Sequence, residues 1–134
     1  MTPSNTSSPA PAQIEGAIRN PANASHFMVI RPIPRRIRVF CKDTLLADTN
    51  KAVRVLEQGK SLYDPAIYLP ESDIITPLTR LEKTSHCPLK GDAAYFAHKG
   101  VEIAWSYAAP IVGAEKLGNY FAFWPDKVRI EEGA

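Results

Sequence analysis

Between positions 86 and 92 the run His86-Cys87-Pro88-Leu89-Lys90-Gly91-Asp92 brings a thiol, an imidazole and an ammonium into one short segment. A thiol becomes a useful nucleophile when a nearby cation stabilises its thiolate, and Lys90 and His86 are the local cations. Neighbouring side chains of an extended segment point to opposite sides, so His86 is badly placed to serve as base for Cys87, and His98 is the alternative elsewhere in the chain. The competing reading is structural: a free cysteine fills a gap as a small apolar group, while Pro88 and Gly91 shape a turn. Lys90-Gly91 admits a second chemistry, because backbone N–H groups converging at a glycine turn beside an ammonium can hold an anion. The ordinary alternative, and the expected one, is a solvated lysine. The glycine spacing and strand-to-helix context of a Walker loop are lacking.

A second set of residues is aromatic. Tyr95, Trp105 and Tyr107 lie on or beside one expected hairpin, Trp105 and Tyr107 share a face by period two, and Tyr68 can approach from another sheet. Rings with polar tips can stack a planar ligand or surround a cation. Plain core packing is the competing and favoured account, and Phe123 and Trp124 read as packing. Asp48 and Glu57 could orient a ligand hydroxyl or a metal, but carboxylates beside turns more often cap backbone N–H groups. Arg31, Arg35, Arg36, Arg38 and Lys42 form a basic stretch without an acidic residue. Such a stretch can contact phosphate, but with Phe40 as its one interleaved ring it reads better as a charged, edge-protecting strand face.

These groups need a scaffold. The chain has 134 residues, 12 of them proline and 7 glycine, enough for one domain with a full core. Its 45% hydrophobic and 22% charged residues are globular composition. No apolar run approaches the roughly 18 residues needed to cross a bilayer, and no basic end precedes an apolar stretch. The expectation is a soluble, cytoplasmic protein with no membrane partner. The formal charge of +2 disfavours nucleic acid as a partner. Cys41 and Cys87 are too few for a four-cysteine zinc site or a disulfide framework, so neither metal nor cofactor is expected. The oligomeric state is not legible.

Residues 1–25, rich in Pro, Ser, Asn and Ala, read as a disordered arm, within which Gln13 to Arg19 could dock as a short turn. From residue 26 to residue 134 the pattern is a single domain of short alternating runs cut by Pro, Gly and charged turns. Strands are expected at His26–Ile30, Arg36–Cys41, Thr44–Ala47, Ala52–Leu56, Ala66–Leu69, Ala94–His98, Val101–Trp105 and Val128–Ile130. Lys42-Asp43 lacks the glycine of a tight turn and suggests a bulged or longer turn, whereas Lys99-Gly100 places a glycine where positive φ is needed. Helix is expected only as one turn after Pro70 and as a short segment over Gly113–Tyr120. The class is mainly β.

Several short motifs lie along this scaffold: Ala47-Asp48-Thr49, Glu57-x-Gly59, Ile67-Tyr68-x-Pro70, Thr84-x-His86-Cys87-Pro88-x-Lys90-Gly91-x-Ala93-Ala94-Tyr95, Ala104-Trp105-Ser106-Tyr107 and Ala122-Phe123. On these residues, over roughly positions 36 to 131, the sequence resembles the bacterial and fungal domain-of-unknown-function family 427, sometimes labelled nucleotidyltransferase-like. The resemblance implies a β-tent type fold, two antiparallel sheets packed at a steep angle around a pocket or groove, with one or two short helices. Relatives in that fold include zinc-bearing domains with paired Cys-x-x-Cys knuckles, a methionine sulfoxide reductase and an aromatic-cage ligand-binding domain. With no Cys-x-x-Cys here, their structural zinc is expected to be absent and apolar burial to hold the fold. Fold does not carry activity across.

Taken together, the residues predict a pocket lined by the segment from Cys87 to Tyr95 and by Trp105 to Tyr107. In it Tyr68, Tyr95, Trp105 and Tyr107 would stack a small planar or nucleotide-like ligand, and His86 and Lys90 would fix an anionic group. The runner-up is an enzyme with Cys87 as nucleophile or redox thiol. The third reading is a protein-interaction module that presents a sheet edge or the arm.

Overall fold

The computed structural model describes residues 14–133. Its strands are β1 (Ile18–Asn20), β2 (Asn23–Pro32), β3 (Arg36–Cys41), β4 (Thr44–Thr49), β5 (Val53–Gln58), β6 (Ala66–Pro70), β7 (Thr79–Cys87), β8 (Gly91–His98), β9 (Val101–Ser106), β10 (Tyr120–Phe123) and β11 (Arg129–Gly133). They form an eight-stranded sheet in the order β1-β2-β5-β6-β10-β9-β8-β7 and a three-stranded sheet in the order β11-β3-β4. Every strand pairing is antiparallel. The mainly β expectation holds, and no helix among the described residues is long and apolar enough to cross a membrane.

Several expectations need correction. Residues 1–13 of the arm lie outside the described residues, but the stretch from Ile14 to Ser25 is not an arm. Ala17 N–H donates to the Ile14 carbonyl at 3.1 Å, and β1 pairs with β2 through Ile18↔Met28 and Arg19↔Phe27. Pro21 sits in a hairpin turn between paired Asn20 and Asn23, and Ile18 contributes apolar contact that composition alone did not weigh. The helix expected over Gly113–Tyr120 shrinks to a 3₁₀ turn at Glu115–Leu117. Gly113 at φ 100° and Asn119 at φ 60° bracket it, leaving too few residues to repay helix nucleation. The basic strand β3 is the middle of its sheet, not an edge, and its arginines pair with carboxylates of the flanking strands: Arg36 with Asp48, Arg38 with Glu131. Tyr68 belongs to the same sheet as Trp105, not to another.

The hairpins follow their turn chemistry. Lys99 at φ 51° and Gly100 at φ 78° give β8–β9 the two consecutive positive-φ residues that a tight antiparallel connection favours. The bulged or longer turn expected at Lys42-Asp43 is instead a two-residue turn between paired Cys41 and Thr44, with Lys42 at φ 54° without being glycine; the register of β3 and β4 shifts farther along, between Val39 and Phe40.

The central strands of the eight-stranded sheet are buried on both faces. Its convex face packs Leu69, Ile103, Phe121 and Phe123 against Ile37, Val39, Leu46 and Ala47 of the small sheet. Its concave face carries Met28, Ile30, Val55, Tyr68, Ala93, Tyr107 and Ala122, closed by Leu89 and Leu117 from connecting segments. Alternation assigns the faces: Tyr68 and Leu69, or Phe121 and Ala122, are neighbours on opposite sides. Each fully buried side chain of this kind contributes about 1.5–3 kcal/mol. The sheet must curl strongly. β5 and β8 stand four places apart in strand order, roughly 19 Å in a flat sheet, yet Lys90, one residue before β8, reaches Glu57 on β5 at 2.5 Å.

Candidate functional site

Against the concave face of the curl lies a cavity of about 550 Å³ that opens to solvent and is also bordered by Ile67, Phe123 and Ile130 of the other core cluster. That volume is within the roughly 300–1,000 Å³ range of small-molecule pockets. Alternation brings the lining together. Val55 and Glu57 come from β5, Ala66 and Tyr68 from β6, Tyr95 from β8 and Trp105 from β9, with Tyr107 just beyond it. Trp124 follows β10 on the same side as Ala122. Tyr63, Asp64 and Asp126, all exposed, form the mouth.

The rings are held before any ligand arrives. Trp105 Nε1–H donates to Tyr68 Oη at 3.1 Å, and Trp124 Nε1–H donates to Glu102 Oε2 at 2.9 Å. The two indoles lie with centroids 4.3 Å apart at 43°, and Tyr68 meets Trp105 edge-on at 6.1 Å. Tyr95 and Ser85 share a hydroxyl hydrogen bond of 2.6 Å, with Lys83 Nζ 4.4 Å from the Tyr95 ring. Packing and site are therefore the same residues: Tyr68 and Tyr107 belong to the buried core and also wall the cavity.

At the floor sits an ion pair. Lys90 Nζ is 2.5 Å from Glu57 Oε1, and His26 Nε2 is 3.0 Å from Glu57 Oε2. The Lys90 side chain is 6% exposed, which overturns the expectation of a solvated lysine. Burial is the largest influence on Glu57 and pushes its carboxyl up. Hydrogen bonds from Lys90 and His26 outweigh it and hold the carboxyl below its ordinary range. Burial likewise favours the neutral amine of Lys90, but the acidic groups around it, Tyr68, Glu57 and Cys87, leave its pKa raised. Burial also raises Tyr68 and Tyr107, so both stay neutral O–H groups.

The lysine is placed by its turn. Lys90 N–H donates to the Cys87 carbonyl at 3.2 Å, and Ile111 N–H donates to the Lys90 carbonyl at 3.0 Å. Gly91 follows at φ 115°, where a Cβ would meet Ala109 O and Ile111 N at 3.3 Å. A side chain here would crowd the backbone of residues 109–111 and force the segment strapped over the turn to give by a few tenths of an ångström.

Of the residues singled out in the sequence, Tyr68, Lys90, Tyr95, Trp105 and Tyr107 line the cavity. His86 does not. Its ring pairs with Asp92 at 2.8 Å on the outside, with 64% of the side chain exposed. Cys87 is half-buried against the concave core, its sulfur 3.9 Å from Lys90 Nζ, but it does not line the cavity. Glu57 is an ion-pair partner and not a backbone cap, and Asp48 pairs with Arg36. Glu57 lines the cavity too, as do Phe123 and Trp124, which the sequence reads as packing, while sequence reasoning missed His26 and the two mouth carboxylates. A signal for Glu57 was present: Val53, Val55 and Glu57 share one face by period two, and a carboxylate in line with core valines calls for a buried cation. Among the described residues no cluster of three or more His, Cys, Asp or Glu could hold a metal ion.

Two antiparallel sheets, one of them curled about an aromatic cavity with an ion pair at its base, thus define a β domain built around a hollow. The chain belongs to the family described as domain of unknown function DUF427, whose model matches residues 29–133. No curated protein matches the chain.

Proposed function

We propose that this domain binds a small molecule with a planar ring in the concave cavity of its larger sheet, as a nucleobase or a comparable heterocycle would sit. The observation that carries the reading is the lining itself, several pre-oriented rings around about 550 Å³ of space. Ring stacking needs flat faces held open, and the indole N–H groups of Trp105 and Trp124 are tied to the protein, so little side-chain entropy is lost on binding. Fixing an anionic group through His86 and Lys90 has no support, since His86 lies outside and Lys90 is neutralised by Glu57. No catalytic step is assigned to the cavity.

Both tryptophans of the chain line this cavity, so indole emission reports on it directly. Titration with nucleosides and neutral heterocycles should change that emission saturably and raise the melting temperature, and Trp105→Ala should erase both effects. Silence from every planar compound in such a panel would defeat the proposal. A thiol-dependent role for Cys87 has one observation in its favour, the Lys90 ammonium 3.9 Å from its sulfur.

A further inference from the structure

The cavity has a direction. At its inner end Tyr107 is 7% exposed and its hydroxyl has no hydrogen-bond partner among the described residues. Tyr68, 2% exposed, accepts from Trp105 but donates to no group among the described residues. The two ring centroids are 6.5 Å apart at 31°, and neither hydroxyl hydrogen is donated to a group among the described residues. Buried polar hydrogens are normally satisfied, and an orphaned donor in a cavity wall indicates a missing acceptor. An oxyanion is a poor candidate for that acceptor, because Glu57 cancels the Lys90 charge and adds a carboxylate beside the floor. A neutral carbonyl oxygen fits. The mouth has the opposite character: Asp64 and Asp126 line it, and neither has an ion-pair partner among the described residues. Aromatic faces next to two free carboxylates favour a cation.

We infer that the ligand is a planar ring with polarity to match: a neutral carbonyl oxygen at the inner end, received by the Tyr68 and Tyr107 hydroxyls, and an ammonium or amidinium at the mouth, received by Asp64 and Asp126. This assignment rests on the cavity being a ring-binding site, and it turns the charge preference away from the phosphate of a nucleotide. The inner hydroxyls select for an acceptor, the rings for flatness and the mouth for positive charge.

Four probes of one shape test it: 4-(aminomethyl)benzamide, benzamide, benzylamine and benzoate, titrated by tryptophan emission and by thermal shift. The bifunctional probe should bind about tenfold tighter than benzamide or benzylamine, the factor expected when one good hydrogen bond or one charge-assisted contact is added. Benzoate should bind most weakly. Tyr107→Phe should reduce the bifunctional probe to the level of benzylamine. It should leave the stability of the free protein unchanged or raised, because the hydroxyl it removes has no partner. Asp64→Asn combined with Asp126→Asn should reduce the probe to the level of benzamide. Benzoate binding as tightly as benzamide, or Tyr107→Phe destabilising the free protein, would overturn the assignment. So would a neutral heterocycle binding while the added carbonyl and ammonium bring no gain, an outcome that leaves the ring-binding reading standing. Failure of every ring compound, heterocycles included, would remove both.

Discussion

Lys90 and Glu57 are separated by four strand positions in one sheet, yet their side chains meet at 2.5 Å with 6% and 16% of their surfaces exposed. The contact joins the β7–β8 turn to β5 across the hollow, so it ties the cavity floor and also bears on the stability of the curl.

Removal of either partner should therefore be costly, and unequally so. Lys90→Met leaves Glu57 its second partner, His26. Glu57→Leu leaves Lys90 buried with no carboxylate at ion-pair distance among the described residues. Urea unfolding followed by tryptophan emission should show Glu57→Leu losing about 3–5 kcal/mol and Lys90→Met measurably less, with the double variant more stable than Glu57→Leu alone. Equal losses, or strictly additive ones, would mean that the pair is not coupled in solution.

The same pair sets a pH profile. The carboxyl of Glu57 is depressed below its ordinary 4.5 in the folded protein, so its contribution is present above that value and is lost as pH falls through the lower folded one. Unfolding free energy should drop on acidification below about pH 4.5, and Glu57→Leu should flatten that slope. At the alkaline end the signs agree with one another. Tyr68 and Tyr107 are raised above 10.0 and Lys90 above 10.5, so the unfolded chain releases protons first and stability falls as pH rises past 10. An alkaline limb that is flat to pH 11.5 would contradict this burial.

Glycine at position 91 is a steric requirement. Gly91→Ala should cost about 1–3 kcal/mol, through positive φ and through contact with the backbone of residues 109–111. It should also weaken ring binding by displacing Lys90. Gly100, at φ 78° with open space around it, should accept Asn with little change. Measured side by side in denaturant, the two variants separate conformational strain from crowding.

Residues near the cavity in sequence but outside it in space should be silent in binding. His86→Ala and Cys87→Ser should each leave the ligand-induced melting shift within error of the parent. A loss of the shift in Cys87→Ser would move the chemistry back to the thiol. Alkylation rates of Cys87 in the parent and in Lys90→Met would then measure how far the ammonium at 3.9 Å activates it.

The strands that alternate were legible in the sequence, and so were the rings that share their faces. Trp105 and Tyr107 are two apart on a half-buried face, and the structure puts both on the cavity wall. β7 escaped notice because Thr79 to Cys87 is an edge strand with almost every side chain in solvent, so no apolar period marks it. β10 escaped for the reverse reason: Tyr120 to Phe123 is apolar on both faces. The Lys90–Glu57 contact could not be read locally, because its partners are 33 residues apart and meet only once the sheet curls. The isolation of His86 was hidden for a related reason. Adjacent side chains of a strand diverge, and which of the two turned inward depended on pairing with β8, where His86 stands opposite Asp92.

β1 and β7 are the two ends of the larger sheet, and they do not pair with each other. A closed barrel has its diameter fixed by strand number and stagger. This ribbon is free of that constraint, and side chains such as Lys90 and Glu57 act as its clasp. Resizing the chamber for a different guest would then require only a longer or shorter clasp, with the backbone ladder left intact.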